Sequence, residues 1–106
     1  MNYYLQALTR IVPLGGHRIE ATFADGFTGR IDLLPWVQRG GLRAPLADAV
    51  RFASVVVNEF GAPEWPGEID LSPGTLRAWC ESGRVLSKSE TDAWVAEQAR
   101  PAQNAA

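Results

Sequence analysis

Cysteine is almost missing from these 106 residues. Cys80 is the only one, which excludes an internal disulfide and a cysteine-rich metal site and suits a reducing compartment. An excess of basic charge is also missing. The formal net charge is -2, so no basic field gathers nucleic acid or anionic lipid. No apolar run approaches the ~20 residues that a membrane helix needs. The opening residues Met1-Asn2-Tyr3-Tyr4 lack a cationic region followed by an apolar one, so no signal peptide is expected and the cytoplasm is the expected compartment. There are no internal repeats. Glycines are plentiful, but no G-x-G-x-x-G or G-K-[ST] pattern occurs, so Gly15-Gly16, Gly26, Gly29 and Gly40-Gly41 read as turn residues.

What is present suits one domain able to bury a modest core. The acidity is uneven. Residues 51–106 carry eight Asp/Glu against five Arg/Lys, and Glu59, Glu64, Glu68 and Asp70 follow one another with no base between them. The stretch 52–79 holds that acid run, the most β-prone triplet (Val55-Val56-Val57), two of the four tryptophans and the clearest helix start.

The order of elements follows from periodicity and turn chemistry. Residues 3–12 read as a strand ended by Pro13, with a turn at Leu14-Gly15-Gly16. Residues 17–24 alternate, Ile19, Ala21 and Phe23 facing one way and Arg18, Glu20 and Thr22 the other. Asp25-Gly26 predicts a tight type I′ hairpin to a return strand over 27–33. Residues 34–38 predict a helical turn carrying Trp36, residues 42–45 a loop and residues 46–50 a weak helical turn. A strand buried on both faces is expected over 52–60, then a short extended piece at Glu64-Trp65. Ser72 as N-cap and Pro73 at the first helical position predict a helix ending at Gly83. Ser87 and Glu90 form a capping box for a second helix over 87–99. The expected fold is α+β: an antiparallel sheet of about four or five strands, beginning with a β-meander and packed by one or two C-terminal helices. Residues 1–84 form the domain, 85–99 a helix docked on it or on a partner, and 100–106 a disordered tail.

Several residues invite a chemical reading. Glu64, Glu68 and Asp70 could bracket a divalent cation, supply an acid/base pair or face a basic partner, while the plainer reading is an exposed acidic loop. His17 sits beside two glycines and reads as a turn residue more readily than as a base. Cys80 lies on the apolar face of its helix and reads as core. Four tryptophans either fill a small core or anchor an interface. Trp79 belongs to the core, Trp65 either caps the core or faces a partner, and Trp94 either docks its helix or meets a partner. No catalytic constellation, metal site or cofactor is expected. The expected partner contacts are Glu59, Glu64, Trp65, Glu68, Asp70 and Trp94.

Three segments, taken in series, resemble a bacterial family known as domain of unknown function 2442. Phe23 to Leu33 is similar to its F-x-D-G-x-x-G-x-x-D-L pattern. Leu46, Asp48, Phe52 and Val55 are similar to L-x-D-x-x-x-F-x-x-V, and Trp65 to Leu76 to W-P-x-x-x-D-L-x-P-x-x-L. Here Leu76 is followed by Arg77 where the family commonly has tyrosine. The resemblance implies an α+β domain, with some members carrying an added helix-turn-helix domain and many standing beside a small protein in a pair like a toxin–antitoxin module. It implies no catalytic residues. The function expected is therefore a non-enzymatic protein-binding module, antitoxin-like or an adaptor for a small neighbouring protein, with a homodimer also open. Nucleic acid and membrane are not expected partners. The alternatives are a DNA-binding regulator using a degenerate C-terminal helix-turn-helix, and a small metal-dependent hydrolase.

Overall fold

The computed structural model describes residues 7–98. The beginning of the expected first strand, residues 3–6, and the expected tail lie outside the described residues. Strands β1 (Leu8–Gly15), β2 (Arg18–Phe23) and β3 (Thr28–Asp32) form an antiparallel meander in that order. Pro13 does not end β1. That strand has a ladder partner on one side only, so a residue without an N–H is tolerated there. The turn accordingly moves to Gly16-His17.

Ile19, Ala21, Phe23 and Ile31 face inward and are buried. Arg18, Glu20 and Thr22 pair across the outer face with Asp32, Arg30 and Thr28. The Asp25-Gly26 hairpin forms, but not as a type I′ turn. The Phe23 N–H donates to Phe27 O and the Gly26 N–H to Phe23 O, both at 2.9 Å, closing a three-residue loop. Only Gly26 takes a positive φ in this loop. Asp25 instead stays on the ordinary side and uses its carboxylate to accept the Phe27 N–H at 3.1 Å.

Short helices then carry the chain away from this sheet: α1 (Leu34–Val37), a 3-10 helix (Gly41–Ala47) and α2 (Ala49–Phe52). The Asp48 side chain caps α2 by accepting the Val50 N–H at 2.9 Å, which draws Phe52 into a helix rather than a strand. The expected strand over 52–60 therefore shrinks to β4 (Val56–Val57), and Val56 is exposed rather than buried on both faces. β4 pairs with β5 (Pro63–Trp65), which pairs with β6 (Ile69–Asp70). The described strands thus divide into two three-stranded antiparallel sheets instead of one larger sheet, within the expected α+β class.

Helices α3 (Pro73–Ser82) and α4 (Lys88–Gln98) close the fold. The capping box of α4 is complete. The Glu90 N–H donates to Ser87 Oγ at 3.1 Å, and the Ser87 N–H donates to Glu90 Oε1 at 2.9 Å. Trp79 Nε1 donates to Thr91 Oγ1 at 2.9 Å, and that hydroxyl donates to Ser87 O at 2.8 Å, so a buried relay ties α4 to α3. Trp94 adds a half-buried contact against the core.

The centre holds an aromatic cluster. Trp65 lies 5.3 Å from Trp36 and 5.5 Å from Phe52, ring centre to ring centre, and Phe52 meets His17 at 4.9 Å. Trp65 Nε1 donates to Phe52 O at 2.8 Å. Trp65 is only 1% exposed, so its expected role as a partner contact is corrected: it welds β5 to α2.

Candidate partner-binding groove

A groove runs between the bank formed by α1 and the 3-10 helix and the opposite bank formed by β6, α3 and α4. It has two lobes of about 290 and 300 Å³. Trp36, Arg43 and Leu71 line both. The first lobe adds Leu42, Glu68 and Asp70, and the second adds Arg39, Trp79, Lys88 and Asp92. Leu42 is 86% exposed and stands on the rim.

The arginines lie over the aromatic floor. The Arg43 guanidinium is 5.4 Å from the Trp36 ring centre, and that of Arg39 is 5.6 Å from Trp79. Each is steered by a backbone carbonyl. Arg39 Nη2 donates to Leu86 O at 2.7 Å, and Arg43 Nη1 donates to Gly40 O at 3.1 Å. Neither has a carboxylate partner among the described residues. Lys88, in contrast, is matched by Asp92 at 3.0 Å.

The first lobe is opposite in sign. Glu68 and Asp70 are exposed, and among the described residues neither side chain has a hydrogen-bond or ion-pair partner. Glu68 is also the one described non-glycine residue with positive φ, at 62°. Asp70 stands directly across the ladder from Glu64, so two carboxylates share one face of the second sheet. Glu64 is partly compensated by Asn58 Nδ2, which donates to its Oε1 at 3.0 Å.

Of the expected partner contacts, the groove brings together Glu68 and Asp70. Glu64 lies beside them on the outer sheet face. Glu59 projects from the exposed turn between β4 and β5. Trp65 and Trp94 belong to the core and its margin. Among the described residues no three His, Cys, Asp or Glu side chains lie close enough to hold a metal ion, so the acids form no ligand set. His17 Nε2 donates to Leu46 O at 2.7 Å, which engages that nitrogen in joining the first hairpin to the 3-10 helix. Burial pushes the Cys80 thiol up to about 12, leaving it protonated and poorly nucleophilic. Trp36, Arg39, Arg43 and Leu71 carried no sequence signal as a group, because each stacking pair is assembled from separate elements.

The model of a family described as a protein of unknown function, DUF2442, matches residues 8–82. The chain belongs to this family. Within the DUF2442 pattern almost every marked residue has a structural task. Phe23, Leu33, Leu46, Phe52, Val55, Trp65, Leu71 and Leu76 are buried. Asp25 and Asp48 hold turn or helix-start N–H groups, and Asp32 accepts the Leu34 N–H at 2.9 Å. A Cβ at Gly29 would come within 2.9 Å of Cys80 Cβ, so α3 needs that bare backbone. Asp70 is the charged member of the pattern with no such task, and it lies in the groove.

Among solved structures, the "Putative DNA Binding Protein NE0471" of Nitrosomonas europaea ATCC 19718 is similar, with 24% identity and a TM-score of 0.68 over 93% of this DUF2442 chain. The chain spans 64% of that protein's length, and a likeness at this identity is one of fold. No curated protein is similar to it in sequence. Among the described residues no helix is long and apolar enough to cross a membrane.

Proposed function

We propose that this domain is a non-enzymatic protein-binding module that receives a segment of a small protein partner in the two-lobed groove, in an adaptor or antitoxin-like role. The observation that carries this reading is a pair of groove arginines with no carboxylate partner among the described residues, laid over the buried Trp36 and Trp79 and flanked by exposed Leu42. Interfaces draw on arginine in this way, because a stacked guanidinium loses little freedom on binding and offers several N–H donors. The protonated Cys80 thiol and the engagement of His17 with Leu46 support a binding role over a hydrolytic one.

A DNA-binding role, suggested by the name of the solved neighbour, draws less support from this chain. Helix α4 would serve as the reading helix, yet it carries Lys88 against Glu90, Asp92 and Glu97. A helix of net negative charge is repelled by phosphates.

The test is to mix the purified protein with the product of the gene beside its own and to follow elution volume and melting temperature. A shared elution peak that Leu42→Asp disrupts supports the reading. A shared peak that Leu42→Asp leaves intact places the interface elsewhere, and unchanged elution and melting of both proteins count against the module. Affinity for duplex DNA at low salt would favour the regulator instead.

A further inference from the structure

The groove holds charges of both signs, and among the described residues no ion pair joins Arg39 or Arg43 to Glu68 or Asp70. Arg43 lines both lobes, yet its guanidinium is turned over Trp36 and onto Gly40 O rather than towards Asp70. Arg39 likewise lies against the Leu86 carbonyl and the Trp79 indole. At the other end Glu68 and Asp70 have no partner among the described residues, and Glu64 opposite Asp70 raises the local negative potential. A groove of this kind is complementary to a ligand with the reverse polarity.

Its shape also limits the ligand. One bank follows the chain from Ile69 through Ser72, extended, and on to Trp79 along α3. That path is on the order of 20 Å, from extended and helical rise per residue. About six residues of extended chain span it.

Resting on the protein-binding reading above, we propose that the groove selects an extended peptide segment carrying charges of both signs. A side-chain carboxylate would lie against Arg39 and Arg43 over the Trp36–Trp79 floor, and a lysine or arginine would lie against Glu68 and Asp70. The partner is therefore a protein with a mixed-charge segment, and not a polyanion. A uniformly acidic ligand would satisfy the arginine lobe but meet Glu68 and Asp70, and a uniformly basic one would meet Arg39 and Arg43. The two lobes thus reject ligands of a single sign, and both charges together fix the direction in which the segment lies.

Random heptapeptides displayed on phage and selected on the intact protein test this. The wild type enriches peptides in which an acidic residue and a Lys or Arg occur together. Selection on R39Q/R43Q loses the acidic preference, and selection on E68Q/D70N loses the basic one. A synthetic peptide from the wild-type selection binds each double variant about tenfold more weakly, and binds the wild type more weakly as salt rises. Circular dichroism of both variants confirms that the fold is kept, as expected for exposed or rim positions. Peptides enriched without this charge pairing, preferences unchanged in the variants, or no enrichment on the wild type would each overturn the inference. A complex with the neighbouring gene product that both double variants leave intact would sink this inference alone and leave the protein-binding reading standing.

Discussion

The Arg77 guanidinium donates two hydrogen bonds to the Asp25 carboxylate, at 3.0 and 2.8 Å, while lying 4.3 Å from the Phe27 ring centre and 5.1 Å from that of Phe23. It also pairs with Glu81 one helical turn on. Helix α3 thereby clasps the tip of the β2–β3 hairpin, 52 residues away in sequence. Burial works against the charge of Arg77, but the bonds to Asp25 and Glu81 outweigh it and hold the guanidinium above its usual value. The same bond, with help from the Phe27 N–H, holds the Asp25 carboxyl below its own.

Because the ion pair is partly open to solvent, most of the value of Arg77 lies in its stacking and packing on the two phenylalanines. Arg77→Ala is expected to destabilise the fold by about 1–2 kcal/mol in urea unfolding. Arg77→Met, which keeps the apolar stem, should recover part of that loss.

Gly29 marks the closest approach between β3 and α3. Gly29→Ala places a methyl group 2.9 Å from Cys80 Cβ and should cost about 1–3 kcal/mol, as overpacking does. Cys80→Ala should not rescue it, because the clash is between β-carbons. Thermal melts of the two single variants and the double variant check this.

Glu68 holds a left-handed backbone at φ 62°, with no side-chain bond to the described residues. Glu68→Gly removes the steric cost and should stabilise the protein by about 0.5–1 kcal/mol, after the greater freedom of glycine in the unfolded chain is counted. The same change should weaken attraction for a cationic ligand. Stability and binding are then expected to move in opposite directions, measured by urea unfolding and by titration with a selected peptide.

Glu90 is held down to about 2 from an ordinary 4.5, chiefly by its hydrogen bond from Arg84 and then by the backbone and hydroxyl of Ser87. The folded state therefore favours the carboxylate. Its contribution is complete above pH 4.5 and drains away as pH falls towards 2. Glu90→Gln should lower the melting temperature at pH 7 and flatten its decline between those two pH values.

Local chemistry was legible in the sequence wherever one element contained its own cause. The Ser87–Glu90 box, the Pro73 start, the Gly83 stop and the alternation of Ile19, Ala21 and Phe23 all act within a few residues, and each appears in the fold. Propensity failed where a neighbour competed for the same residues. Val55-Val56-Val57 is strongly β-prone, yet the Asp48 cap and the docking of Phe52 under Trp65 claimed the preceding chain and left two residues for the strand. The groove was legible only at its acidic end. Glu68 and Asp70 stand in an obvious acid run, whereas the stacking of Arg39 on Trp79 and Arg43 on Trp36 depends on how α1, the 3-10 helix and α3 meet. Trp65 was ambiguous because its flanking Glu64 and Pro66 resemble a surface loop, and only the hydrogen bond to Phe52 O reveals that it is sealed inside.

The bond from Trp79 to Thr91 decides how far this protein can be trimmed. The family match stops at residue 82, but a truncation there would strip Leu86, Thr91 and Trp94 from the core and leave the indole N–H of Trp79 without its acceptor. Stripped of α4, that N–H would turn to water, and the cost would be the apolar surface laid open around it, about 25 cal/mol per Å². A fragment that keeps this buried relay therefore runs past the shared family region and into α4.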